Sequence, residues 1–204
     1  MTIIAKPLDV YCKRTWYVST APATEPITAD NVKDFARIDN ATEDTLIEGF
    51  IEAVRDATEK YLRRALIEQT ITLLMDFWPE DSLVIELPMP PLISVTGIYT
   101  LDEDDTATTY SSSNYYVVTS TETRGKVILK QGVTAPINTD RDYAGFKIIY
   151  KAGYGDEATD VPALIREGMK LWTAIFYDTR ALFVNGEPPP EVKTFLDPYR
   201  MLKI

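Results

Sequence analysis

Four successive acids, Asp102-Glu103-Asp104-Asp105, form the longest acidic run in the chain, and hard cations are held by clustered oxygens. The alternating ligand spacing and central glycine of a calcium loop are absent, so the run reads as a solvated hairpin turn. Lys151-Ala152-Gly153-Tyr154-Gly155 has the glycines of a phosphate loop but neither the following Lys-Ser/Thr pair nor the GxGxxG spacing. A strand-exit turn explains those glycines better. A carboxylate hydrolase needs two acids across a cleft, one with a raised pKa. With 31 acidic residues some pair can always be chosen, and no spacing singles one out. Trp16, Trp78 and Trp172 could line a sugar-binding face, yet each falls within an apolar pattern that suits a core.

What is missing narrows the chemistry further. The chain has no histidine, which removes the commonest general base and transition-metal ligand and rules out serine–histidine and cysteine–histidine nucleophiles. A single cysteine, Cys12, excludes an intrachain disulfide and any multi-cysteine zinc site. Cys12 reads as a small, half-buried residue near a strand. No cofactor and no metal are expected. A net charge of −10 opposes gripping nucleic acid by its phosphates. No apolar run approaches the roughly 18 to 20 residues that span a bilayer, and the first residues lack a signal-peptide pattern. The chain is expected to be made in the cytoplasm.

The elements that must position any site follow from hydrophobic periodicity. Arg14 to Ser19 is β-branched and aromatic and predicts a strand. After Pro22 and Pro26, Thr28 caps a short helix over 29–36 that buries Val32 and Phe35. Thr42 is expected to cap a longer helix, with Glu43 and Asp44 in its first turn. Leu46, Ile47, Phe50, Ile51, Val54, Ala57, Tyr61 and Leu62 make its apolar stripe, with Glu48, Glu52, Arg55, Asp56, Glu59 and Arg63 on the opposite face.

From Glu68 the period becomes two. Strands are predicted over 69–75, 82–87, 92–101 (with Gly97 as a bulge), 115–119, 125–130 and 146–151. The loop 131–145 is polar. Asp160 and Pro162 open a further helix with Leu164, Ile165, Met169, Trp172, Ile175, Phe176 and Thr179 as its stripe, stopped at Asn185-Gly186. Pro188-Pro189-Pro190 is a stiff spacer before a short helix over 191–196.

The fold class is therefore α+β: a helical bundle with an inserted antiparallel β subdomain. The expected organisation is an N-terminal extension (1–27), a discontinuous helical body (28–67 and 161–186), the β insert (68–160) and a C-terminal helix and tail (187–204). Phe195, Tyr199, Met201 and Leu202 lie beyond the proline spacer, where too little chain remains for a core of its own. They form either a strap on their own subunit or a segment that docks on a partner.

Several segments in this order carry a resemblance. Ala23-Thr24-Glu25-Pro26-Ile27-Thr28 leads into Phe35-Ala36-Arg37-Ile38-Asp39. Glu43-Asp44-Thr45-Leu46-Ile47, Ala53-Val54-Arg55 and Tyr61-Leu62-Arg63-Arg64-Ala65-Leu66 follow. Leu87-Pro88-Met89-Pro90-Pro91-Leu92 with Ser94-Val95 marks a strand junction, and Tyr150-Lys151-Ala152-Gly153-Tyr154-Gly155 with Val161-Pro162 and Ile165 starts the last long helix.

The chain thereby resembles the head–tail connector, or head-completion adaptor, proteins of long-tailed bacteriophages and phage-like gene transfer particles, over about residues 22 to 185. Residues 1–21 and 185–190 depart from the pattern. The resemblance implies a non-enzymatic virion protein in the neck. It implies a closed ring of about a dozen copies with head-to-tail contacts, between the portal protein and a tail-side stopper or tail terminator protein. DNA would pass through the axial hole without specific binding, and acids such as Asp102, Glu103, Asp104 and Asp105 are candidates to line it or a neighbouring loop. The competing expectations are a carboxylate hydrolase, a β-sandwich glycan-binding module, or another tail-completion protein.

Overall fold

A computed structural model of the protein describes residues 13–39, 42–79, 83–137, 141–183 and 187–201. Among these it is α+β, with four α-helices and two antiparallel sheets. Cys12, Ser82, Asn185-Gly186 and Leu202 lie outside the described residues.

Strand β1 (Arg14–Thr20) is followed by helix α1 (Ala29–Ala36). Thr28 caps α1 as its type predicts: its hydroxyl accepts from the Asn31 N–H at 3.2 Å, and the Asn31 side chain accepts from the Thr28 N–H at 3.1 Å. Val32 is buried, but Phe35 is exposed, its ring beneath the Lys170 ammonium. Helix α2 (Asp44–Leu62) begins one residue later than its expected cap. Glu43 occupies the N-cap position with no side-chain cap bond, because its carboxylate accepts instead from the Tyr177 hydroxyl.

The stripe of α2 is wider than the sequence pattern implied. Leu46 is exposed, whereas Arg55 and Glu59, expected on the solvent face, are buried. Glu59 packs against the chain that leaves the helix and Arg55 against Glu25 ahead of α1, so their burial comes from outside α2.

The sheets follow. Strands β2 (Gln69–Met75), β4 (Leu92–Leu101), β5 (Ala107–Tyr110) and β8 (Phe146–Ala152) join β1 in a five-stranded sheet of order β1-β2-β8-β4-β5. Strands β3 (Val84–Glu86), β6 (Tyr115–Val118) and β7 (Lys126–Leu129) form a smaller sheet of order β3-β7-β6. The register of β4 on β8 slips between Val95 and Gly97, the bulge expected at that glycine. The acidic turn 102–105 folds back into β5, a strand whose Thr-rich, exposed sequence carries no alternation to predict it.

Helix α3 (Ala163–Thr179) starts behind Pro162 without a side-chain cap. Asp160 is not that cap, since its carboxylate turns back to accept from the Glu157 N–H at 3.1 Å. The helix ends at Thr179, well before Asn185-Gly186. Arg180 adopts φ 57° and donates its N–H to the Phe176 carbonyl at 2.8 Å. Arginine also stops α1 (Arg37, φ 55°) and α2 (Arg63, φ 57°) in the same left-handed conformation. Glycine is the usual residue there; an arginine accepts the backbone cost and places a cation at the negative end of the helix. Within the α3 stripe Leu164 and Thr179 are exposed. Helix α4 (Pro190–Leu196) packs on α3, close enough that a Cβ at Gly168 would come 2.9 Å from that of Phe195.

Two apolar clusters result. One lies between the sheets and includes Ile71, Leu73, Ile85, Val127, Ile148 and Tyr150. The other gathers the helices around Trp172, Ile47, Val54, Leu62, Ile165 and Val192. They meet along a hydrogen-bonded seam. The Ala65 N–H donates to Pro90, the Glu68 N–H to Gly155 at 2.7 Å, and the Tyr154 N–H to Leu66. No helix among the described residues is long and apolar enough to cross a membrane.

Candidate functional site

One buried arginine, which the sequence offered only within a family segment and with no role, ties two distant segments together. Arg64 follows the left-handed stop of α2 and is 6% exposed. Its Nε donates to the Tyr199 carbonyl at 2.6 Å, and its two terminal nitrogens to Thr121 at 2.7 Å and Glu122 at 3.0 Å. The Met201 sulfur lies 3.3 Å from the same guanidinium. Only a planar, five-donor fork can satisfy carbonyls from two separate segments at once. No sequence signal separates Arg64 from Arg63.

The expected tail residues meet this clamp. The Met201 N–H donates to Leu62 at 2.9 Å, Tyr199 packs on the helical cluster, and Phe195 is half-buried against α3. The Asp197 carboxylate accepts from the Tyr61 hydroxyl at 2.5 Å. Burial, helped by that bond, pushes the Tyr61 phenol up to about 12. Through Met201 the tail therefore lies on its own chain.

Beside the clamp sits a buried polar group. Glu59 accepts from the Leu66 N–H at 2.8 Å and the Gln69 amide at 2.9 Å, with Arg55 at 3.4 Å. Arg55 in turn donates to both oxygens of Glu25, at 2.9 and 3.0 Å. Burial holds the Glu59 carboxyl above the usual carboxylate range against the pull of these donors, and raises Glu25 too. This set ties the helix end to β2. A raised carboxyl is also what a general acid requires, but each polar neighbour of Glu59 is engaged in the fold.

The acidic turn is built by its own side chains. One oxygen of Asp102 accepts from the N–H groups of Asp104 at 3.0 Å and Thr106 at 2.8 Å, and Asp105 pairs with Arg141. Glu103 and Asp104 remain exposed. No group of three metal-ligating side chains occurs among the described residues.

Of the tryptophans proposed for a sugar face, Trp78 and Trp172 are buried, while Trp16 is 42% exposed on β1. It has company on the surface. Tyr17 and Val18 lie along the same strand, and Tyr116, Val117 and Val118 on β6. Two grooves accompany them. One of about 530 Å³ lies between α1 and α2, with Glu25, Glu48 and Glu52 in its walls. The other, of about 330 Å³, runs beside β5. The exposed apolar side chains lie on the strands, whereas the groove between α1 and α2 is walled in part by carboxylates.

In fold the chain is similar to a subunit from the neck of an empty GTA particle computed with C6 symmetry, at TM-score 0.78 and 19% identity, covering 93% of this chain and 97% of that one. A chain from the virion of a native gene transfer agent (GTA) particle matches at 0.77 and 19% over the same shares. A chain from the neck of a native GTA particle computed with C12 symmetry matches at 0.72 and 18%, again over 93% and 97%. No curated protein matches the sequence. The family model for head completion proteins matches residues 25–177, from the approach to α1 through nearly all of α3. The chain belongs to the head completion protein family.

Proposed function

We propose that this chain is a head–tail connector subunit of a virion neck. About a dozen copies close into a ring by head-to-tail contacts, seated between the portal protein and a tail-side stopper or terminator, with DNA passing through the axis. The observation that carries the reading is the fold match over nearly the whole chain to subunits of particle necks described with sixfold and twelvefold symmetry. In this reading α1 to α3 belong to the bundle-like body (28–67 and 161–186), α4 to the C-terminal helix and tail (187–204), and the strands of 68–160, extended by β1, are the projecting part. The role is structural rather than catalytic, a reading supported by the buried Glu59 carboxyl being engaged by backbone and side-chain donors. A net charge of −10 keeps the duplex from adhering as it passes. Screening over about 8 Å limits this effect to groups near the bore.

Mass photometry and negative-stain microscopy of the purified chain with the portal protein test the proposal. Rings stacked on the portal are the expected result. A chain that stays monomeric with the portal and is missing from the neck of purified particles would overturn it.

A further inference from the structure

We propose that copies of this chain join edge to edge through the five-stranded sheet: β1 of one copy pairs in parallel with β5 of the next, seating Trp16 in the groove beside β5 and Arg14 near the acidic turn. This deepens the ring reading above and rests on it. The occupant of each edge is a second copy of the same chain.

The topology supplies the first argument. β1 and β5 are the two edges of the sheet, and four antiparallel steps separate them, so they run in the same direction. A copy displaced by a small rotation therefore brings its β1 alongside β5 in parallel. Such a contact uses two different surfaces and repeats until the rotation closes.

The register supplies the second. Trp16 aligns with Leu73, Ile148, Ile98 and Tyr110 in one row across the sheet. Residues of one row share a face, so Trp16 arriving beside β5 falls on the Tyr110 side. The 330 Å³ groove opens on that side, walled by Thr108, Tyr110, Ala135, Pro136 and Ile137. Ile137 is 68% exposed at its rim. An apolar knob on one edge thus meets an apolar hole on the other.

Charge supplies the third. Arg14 lies in the row of Met75, Phe146, Thr100 and Thr108, next to the turn that leads into β5. Asp105 is engaged by Arg141, and the exposed Glu103 and Asp104 stand at the same end. Free edges are ordinarily blunted with charge, proline or a covering segment. β1 instead carries Trp16, Tyr17 and Val18 along an edge seven residues long, all of them exposed. This assigns the acidic turn to a subunit contact rather than to the DNA path.

The test is a disulfide between rows. Thr15 and Thr109 share the outward-facing row and are both exposed. In neighbouring paired strands their Cβ atoms come within bridging distance. The full chain carrying Cys12→Ser, Thr15→Cys and Thr109→Cys is oxidised in particles and run on a denaturing gel without reductant. A ladder of covalent multimers is expected, with none from either single cysteine beyond background. Trp16→Ala should lower ring yield about tenfold or more while its melting curve matches the parent's. Rings in the neck with no ladder, or an undiminished ring yield from Trp16→Ala, overturn the edge pairing and leave the ring reading intact. Particles whose necks hold the chain in no ring overturn both.

Discussion

In the helical region the three longer helices end on left-handed arginines, and the chain beyond α2 is tied down by side chains. Arg37, Arg63 and Arg180 stop the helices, Glu59 takes up the Leu66 N–H, and Arg64 binds the returning tail. In the sheet region β1 and β5 pair with no further strand among the described residues, and β1 carries the exposed Trp16 and Tyr17. Both regions have a sealed apolar cluster, so the contrast lies in their borders. The body holds Glu59 and Arg64 in closed sets, with the Thr58 hydroxyl as an exception among the described residues, and an unsatisfied buried donor or acceptor costs about 1–3 kcal/mol. A surface that must meet copies of itself can leave strand edges unpaired.

The two tryptophans give the widest separation. Trp172, fully buried with its indole N–H on the Leu182 carbonyl at 2.7 Å, sits in the helical cluster. Trp172→Ala should cost about 3–5 kcal/mol of stability. Trp16→Ala should cost the isolated chain under about 1 kcal/mol. Urea denaturation of the two variants decides the matter, and equal losses would remove the distinction between body and edge.

Arg64→Ala comes next, at about 2–3 kcal/mol, since charge-assisted bonds to three carbonyls are lost. The loss should be local: amide exchange at Met201 should accelerate well before that of β8. Uniform acceleration would mean that the clamp holds the whole fold rather than the tail.

The smallest effect is a pH slope. Burial holds Glu59 above its ordinary value of 4.5, so the folded chain takes up this proton more readily than the unfolded chain. Its contribution to stability is full below 4.5 and is lost as pH rises through the raised value. Glu59→Gln keeps an oxygen for Leu66 and should change neutral-pH stability by less than about 1.5 kcal/mol. It should also flatten the decline in stability as pH rises above 4.5, leaving the part contributed by Glu25, which is raised in the same sense. An unchanged slope would show that Glu59 is not the group responsible.

Periodicity and capping chemistry are local, and what depends on them was legible. The span of α1 with its Thr28 cap, the strands at 69–75 and 92–101 and the bulge at Gly97 could all be read along the chain. The stop of α3 was not, because Arg180 does the work usually left to glycine, and nothing in its type announces a left-handed backbone. β5 was missed because an exposed edge strand shows no alternation, there being no second face to bury.

Composition alone, with no histidine, one cysteine and a surplus of acids, narrowed the chemistry open to the chain and argued against gripping nucleic acid through its phosphates. The order of helices, strands and prolines carried the family. Which arginine is a clamp and which a cap, which acid is buried, and which aromatic rings face outward were decided only when residues far apart in the chain came together. Burial and hydrogen-bond partnership belong to pairs of segments: Arg64 and Tyr199 stand 135 positions apart, and no window along the chain contains them both.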